Sequence, residues 1–294
     1  FCSNIKGTSV RLLDDETDID DNCSIKAINA SEIVVYEFDL IGSNFSIIGN
    51  IYRRYLLYPY LLRSLGSRDF LDVGCGSGAA ARYAKSIVGK FGSVSAIDLN
   101  EGMIAFAQML DKNNEIDWQN GDVTDMPYKD QSFNIVAGNQ LLQFLPDKDK
   151  GLKEMKRVLK QGGKLALTIY CPKNKNPAHE AIAKALENNG VASKAVTHPF
   201  SFGDPILIGD LIQKAGFRDI SVVRKQMDSY FNSAEHFIES LAAGGPSSRH
   251  ALEQLDSSGL KKLKAEVTKS LTEFVDPNKG LRVITTANLA LATA

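Results

Sequence analysis

An α/β fold built on a mostly parallel sheet with helices on both faces is what this sequence predicts, and three observations carry it. Between Arg68 and Tyr170 short apolar runs alternate with helical segments, a pattern that needs crossover connections and therefore parallel strands. The first run, FLDVGCGSG from Phe70 to Gly78, passes straight into three glycines spaced by single residues and then a helix rich in small side chains. Acids recur at the ends of successive strands, as Asp72, Asp98 and Asp122, and sheets of this kind bind their ligands at the strands' carboxyl ends.

Taken in order, residues 1–40 read as a leader, open to poor order, with no clean period and an acidic cluster of Asp14, Asp15, Glu16, Asp18, Asp20 and Asp21. Residues 41–66 read as an N-terminal helical cap. Ile47, Ile48, Ile51, Tyr52, Tyr55, Leu56 and Leu62 recur at three- and four-residue steps there, and Pro59 breaks or kinks the helix. The core spans 67–170. Its strands are predicted at Phe70 to Val73, Ser93 to Ile97, Ile116 to Gln119, Phe133 to Ala137 and Lys164 to Ile169. Its helices fall between them, at Ala79 to Val88, Gly102 to Leu110 and Asp149 to Leu159. Further on, a helix from Asp210 to Ala215 closes at Gly216, and a strand covers Ile220 to Arg224. Helices follow at Ala234 to Ala243 and Leu260 to Phe274, and Leu281 to Ala292 is a final strand. Stretches 171–205 and 230–280 read as insertions that add to the cap.

The 294 residues are 44% hydrophobic and 23% charged, and no apolar run approaches the ~20 residues that span a bilayer. With 34 Lys plus Arg against 35 Asp plus Glu, the net charge of −1 provides no field to concentrate nucleic acid, so a small-molecule partner is expected. The cysteines Cys2, Cys23, Cys75 and Cys171 form no CxxC pair, which argues against structural zinc and against a disulfide framework, and suits a reducing cytoplasm. No metal is expected. Because the numbering starts at Phe1 and not Met, the chain is expected to begin inside a longer or processed one.

Gly74, Gly76 and Gly78 allow a tight turn and close backbone approach to a nucleotide-like cofactor, although a plain strand-to-helix loop uses glycine in the same way. Gly74, Gly76 and Ala79 also satisfy the looser G-x-G-x-x-A pattern of dinucleotide enzymes, so an NAD(P)-dependent oxidoreductase is the rival. Asp72, two residues ahead of Gly74, separates the two. A carboxylate repels a pyrophosphate and suits the ammonium and sulfonium of S-adenosylmethionine. Asp98, in SAIDLN, stands where an acid accepts both ribose hydroxyl hydrogens, or alternatively caps the next helix. Met103, one turn into that helix, is placed for an adenine face or for the core. Asp122 and the Val123 backbone, in GDV, suit an adenine edge, with a turn-forming Asp as the plainer reading.

The set FLDVGCGSG, SAIDLN, GDVTDMPYKDQSFNIV, GNQLLQFLPD and KEMKRVLKQGGKLALT resembles the class I S-adenosylmethionine-dependent methyltransferases, in particular the small-molecule group that includes the ubiquinone and menaquinone C-methyltransferases. The resemblance is strong over Asp69 to Tyr170 and weaker beyond. It implies that 41–294 form one such domain, with a Rossmann-like seven-stranded sheet whose last strand, Leu281 to Ala292, is antiparallel. It implies S-adenosylmethionine as cofactor and S-adenosylhomocysteine as product. Asp72 and Gly74 would then hold the methionine end, Asp98 the ribose, Met103, Asp122 and Val123 the adenine, and Asn139 and Gln140 the wall beside the sulfonium, with Gly76, Gly78 and Leu99 also in the cofactor-binding set.

Methyl transfer in such a site is chiefly in-line positioning, with a base needed only if the nucleophile arrives protonated. His198, in VTHPFSF, is the best-placed base, against a plain turn role before Pro199. Tyr55, with Tyr52 and Tyr58, is the candidate lid residue, with Glu37 or Gln143 as polar contacts, against a packed amphipathic face. His179, His236 and His250 read as surface residues, and the run Lys148 to Lys160 as a solvated helix face interleaved with acids. From a different class, a noncatalytic S-adenosylmethionine-binding module fits the same motifs.

Overall fold

The computed structural model describes residues 17–19, 25–27, 68–88, 92–244 and 246–294. Expectations on Glu37, on the helical pattern from Phe45 to Leu65 and on Tyr52, Tyr55 and Tyr58 lie outside them. Within the predicted leader, Thr17–Ile19 and Ile25–Ala27 pair as a short antiparallel ribbon.

The main sheet contains β1 (Phe70–Val73), β2 (Val94–Asp98), β3 (Asp117–Asn120), β4 (Phe133–Asn139), β5 (Leu159–Tyr170), β6 (Arg218–Phe231), β7 (Val275–Asp276) and β8 (Gly280–Thr293). Its order is β3-β2-β1-β4-β5-β8-β6, with β7 added on β8. The first five strands of that order are mutually parallel, and β8 pairs antiparallel to β5, Ala287 opposite Tyr170 through Thr293 opposite Lys164. This is the Rossmann-like, mostly parallel sheet with an antiparallel closing strand that the motifs implied.

The chain divides into two compact units. Among the described residues, one gathers those from 68 to 172, Pro199–Gln226 and Thr286–Ala294, the other 17–19, 25–27, Lys173–His198 and Met227–Thr285. In the first unit the pleat sorts β1 onto two faces. Leu71 and Val73 join a core with Val136, Leu165, Leu167 and Ile169, covered by Leu152, Met155 and Val158 of α3 (Lys148–Val158) and by Ile208 and Ile212 of α6 (Pro205–Lys214). Phe70 joins Ala96, Ile135 and Ala137 beneath Ala81 and Ala84 of α1 (Ala79–Lys85) and Ile104 of α2 (Glu101–Leu110). A register shift between Phe133 and Ile135 explains why these two, on one strand with even spacing, enter opposite cores.

The second unit is helical: α4 (Pro177–Asn188), α5 (Lys194–Thr197), α7 (Ala234–Gly244), α8 (Pro246–Glu253) and α9 (Ser257–Ser270). Its core includes Ile182, Leu186, Phe231, Phe237, Leu263 and Val267. His179, expected at the surface, is buried there instead, edge-on to the Phe237 ring at 5.5 Å. It sits on the apolar stripe of α4 with Ile182 and Leu186 at helical spacing, so the helix period overrides its polarity. Desolvation pushes its pKa down to about 4.

Three predicted elements are several residues longer than expected, the first being the strand at Lys164 to Ile169, which runs from Leu159 to Tyr170. The strand at Ile220 to Arg224 runs from Arg218 to Phe231, and the helix at Asp210 begins at Pro205, capped by Asp204 through the Ile206 N–H at 2.8 Å.

Candidate active site

The site is built at the carboxyl ends of β1, β2 and β4. Gly74, Gly76 and Gly78 all adopt positive φ, at 63°, 54° and 77°, so the loop uses conformations that only glycine takes cheaply. A side chain at Gly78 would stand 2.2 Å from the Trp118 ring, and one at Gly74 2.6 Å from Leu141. Both glycines are thus also demanded by close packing.

The helix that follows, α1, starts at Gly78 and has neither a side-chain cap nor an acid in its first turn. Asp72 supplies the missing acceptor: its Oδ2 takes the Ala81 N–H at 3.1 Å. With 1% of its surface exposed, Asp72 is a buried acid that fixes the helix start.

Asp98 ends β2 and is half-buried. Its Oδ2 accepts the Gly76 N–H at 2.8 Å and its Oδ1 accepts the Asn100 N–H at 2.9 Å. The cap of α2 is Asn100, whose Oδ1 accepts the Met103 N–H at 3.2 Å, so the capping role considered for Asp98 belongs to its neighbour. Each Asp98 oxygen has a second lone pair, which leaves the carboxylate able to accept two hydroxyl hydrogens. Leu99 beside it is 73% exposed, an apolar surface next to a polar acceptor. Asn120 holds this corner, its Nδ2 donating to the Asp98 and Leu99 carbonyls at 3.1 Å each.

Asp122 is exposed, and its Oδ1 accepts the Thr124 N–H at 2.7 Å, the turn geometry that was the plainer reading. Val123 is buried in the core, so only its backbone can face a ligand. Met103 is half-buried on the first turn of α2.

At the end of β4, Asn139 is buried and its Oδ1 accepts the Thr168 hydroxyl at 2.6 Å. Gln140 has φ of 54°, and its N–H donates to Thr168 O at 2.9 Å and Oγ1 at 3.2 Å. Gln143 Nε2 donates to Gln140 Oε1 at 2.9 Å. Thr168 and Gln143 were absent from the expected cofactor set; the signal for Thr168 was a hydroxyl inside the apolar run LALTIY. Tyr55 lies outside the described residues. His198 is exposed at the end of α5, and belongs by chain contacts to the helical unit. Among the described residues no group of three or more His, Cys, Asp or Glu is placed to hold a metal.

Such a loop, with an acid tied to it at the end of the neighbouring strand, on a sheet of this order, defines the S-adenosylmethionine-dependent methyltransferase class. The methyltransferase domain family matches residues 71–167. A demethylmenaquinone methyltransferase of Lactobacillus johnsonii is 40% identical over 175 residues, covering 53% of this chain and 70% of that protein. The chloroplastic tocopherol O-methyltransferase of Arabidopsis thaliana is 33% identical over 130 residues, 41% of this chain and 35% of its own length. A solved Bacillus halodurans protein assigned to the methyltransferases superposes with TM-score 0.51 at 20% identity, over 80% of this chain and 98% of its own, a likeness of fold. The chain thus spans about a third of the tocopherol enzyme and more than two thirds of the bacterial one. It belongs to the methyltransferase family, and S-adenosylmethionine is the cofactor of that class. The residues present fit that cofactor: Asp98 keeps lone pairs for a diol, Leu99 offers an apolar face, and the glycine loop leaves backbone at the surface.

Proposed function

We propose that this chain transfers a methyl group from S-adenosylmethionine to a small-molecule acceptor. The observation that carries the reading is the bond between Gly76 and Asp98, which ties the loop for the methionine end to the acid for the ribose. When bound, S-adenosylmethionine supplies a methyl group on an electrophilic sulfonium. The chain's part is to hold and align: Asp98 accepts the ribose hydroxyls, Leu99 and Met103 pack the adenine, Asp122 Oδ2 and the Val123 N–H take its edge. Gly74 and Gly76 admit the methionine end beside Asp72, and Asn139 and Gln140 form the wall next to the reacting carbon. Excluding water there strengthens each polar contact.

The relatives' names, which include demethylmenaquinone, tocopherol and phosphoethanolamine methyltransferases, support a small-molecule acceptor. Acceptor choice is assigned to 41–66, 171–205 and 230–280, with Tyr55 as a lid residue and His198 as the base where the nucleophile carries a proton. The compartment we assign is the cytoplasm; among the described residues no helix is long and apolar enough to cross a membrane.

Calorimetry tests the cofactor. S-adenosylhomocysteine binds saturably and NAD and NADP do not, and saturable NAD binding without either sulfur ligand would return the oxidoreductase. Release of S-adenosylhomocysteine on incubation with cell extract separates an enzyme from a binding module.

A further inference from the structure

The end of β4 holds a pair of amides that the cofactor reading leaves incomplete. Gln143 is 2% exposed, and its Nε2 is spent on Gln140 Oε1 at 2.9 Å. That leaves Gln140 Nε2, a donor, and Gln143 Oε1, an acceptor, both buried and both without a partner among the described residues. Buried polar groups in folded proteins are paired, so two exceptions on neighbouring, mutually bonded amides call for a partner.

The pair is also held rigidly and at a cost. Gln140 is in the left-handed region, one of four such non-glycine residues described, and it follows directly on the last residue of a parallel strand, where ligands of this fold sit. Its N–H is fixed by Thr168 O and Oγ1, and Thr168 Oγ1 in turn donates to Asn139. Strain kept in place by buried hydrogen bonds is typical of functional positions. A chain of four polar residues, Asn139, Thr168, Gln140 and Gln143, therefore leaves one donor and one acceptor on two amides that are bonded to each other.

We propose that Gln140 and Gln143 form a clamp for a hydroxyl of the methyl acceptor. This deepens the methyl-transfer reading and rests on it. A hydroxyl both accepts and donates, so it satisfies Gln140 Nε2 and Gln143 Oε1 together; a carbonyl or an ether satisfies only the first, and an ammonium only the second. The complement is unchanged if both amides are turned over, because the shared bond then runs from Gln140 to Gln143 and still leaves one donor and one acceptor. Both groups are neutral, and the Gln143 carbonyl repels an anion, so the clamp holds a phenol or enol in its protonated form. A site built to bond a hydroxyl rejects the analogue lacking the hydrogen, since its own buried group is then left unpaired. The acceptor class is thus a molecule with a neutral hydroxyl, of which a phenol is the simplest ring-bearing case.

The probes are 1-naphthol and 1-methoxynaphthalene, titrated by calorimetry into the full chain loaded with S-adenosylhomocysteine. The expected result is saturable binding of the naphthol, at least about ten-fold tighter than the ether. Gln143→Leu brings the two within about two-fold and leaves S-adenosylhomocysteine affinity unchanged, and Gln143→Met does the same should the first variant not fold. Equal binding of both probes by the native chain, or no naphthol binding, overturns the clamp. So does a variant that weakens S-adenosylhomocysteine as much as naphthol, which would place the amides in the cofactor site. Failure of the native chain to bind S-adenosylhomocysteine instead overturns the methyl-transfer reading.

Discussion

Asp98 accepts the backbone N–H of Gly76 at 2.8 Å across 22 residues of sequence, so the two parts of the proposed cofactor site are one hydrogen-bonded unit. Neither can move alone. Asp98→Asn keeps an oxygen for Gly76 but removes the charge, and S-adenosylhomocysteine affinity is expected to fall roughly ten- to hundred-fold with little change in melting temperature. Asp98→Ala should in addition cost about 1–3 kcal/mol of stability, because two N–H groups lose their acceptor. Calorimetry and thermal unfolding read the two effects separately, and an unchanged affinity in both variants would reduce Asp98 to a structural brace.

Gly78 is the least substitutable position of the loop. Gly78→Ala forces a methyl to within 2.2 Å of the Trp118 ring at φ of 77°, and overpacking plus left-handed strain should cost about 2–5 kcal/mol. Adding Trp118→Ala relieves the clash but not the strain, so denaturant titration of the double variant should show a favourable coupling. Additive losses would mean that the ring plays no part.

Arg157 clamps the loop after Asp122. Its guanidinium donates to Glu154 Oε1 and Oε2 at 2.8 Å each, to Asp130 Oδ1 and Tyr128 O at 2.7 Å, and to Met126 O at 3.0 Å. Glu154 also accepts the Met126 N–H at 3.0 Å, and these contacts hold the Glu154 carboxyl below its ordinary pKa. Lysine cannot reproduce a planar fork with several carbonyl partners. Arg157→Lys is expected to cost about 1–3 kcal/mol, partly screened because the side chain is partly exposed, and to raise protease cutting between Met126 and Asp130. Unaltered stability and cutting would show the clamp to be redundant.

His179 makes the helical unit acid-sensitive. Its folded pKa of about 4 lies below the unfolded value near 6.5, so between those values the unfolded chain binds a proton the folded chain excludes. Stability is full above about pH 6.5, falls as pH drops toward 4 by up to about 3 kcal/mol, and levels off below. His236 is shifted in the same direction by burial, so the measure is a difference: urea titrations from pH 4 to 7 should give a shallower slope for His179→Leu than for the native chain. Parallel slopes would show that His179 is not the sensor.

Most of the sheet was legible because Phe70–Val73, Val94–Asp98 and Phe133–Asn139 are compact, mostly buried runs, whereas Asp117–Asn120 carries polar side chains and is held at the sheet's edge by pairing with its neighbour. The strand from Arg218 to Phe231 was read as five residues because RKQMDS carries no apolar period; its extension comes from backbone pairing at the sheet's edge, which leaves no side-chain signature. The site residues Gly74, Gly76, Gly78 and Asp98 were legible as types at spacings. What Asp72 and Asp98 bond to was not, since both accept from backbone N–H groups on other elements, and such contacts leave no trace in residue identity. His179 misled for the opposite reason: its polarity suggested solvent while its position on the α4 stripe put it inside.

The placement of β8 between β5 and β6 has a consequence for synthesis. Cys171 and Asn288, hydrogen-bonded in the finished sheet, are separated by 117 residues, and at roughly 5–20 residues per second the ribosome needs on the order of 6–23 s to span that gap. Throughout it the emerging cofactor half carries β5 as an open edge, with a row of unsatisfied backbone groups able to recruit a strand from another nascent chain. Production of this enzyme is therefore expected to be limited by what shelters that edge on the ribosome, and nascent chains stalled before Gly280 are the species most prone to aggregate.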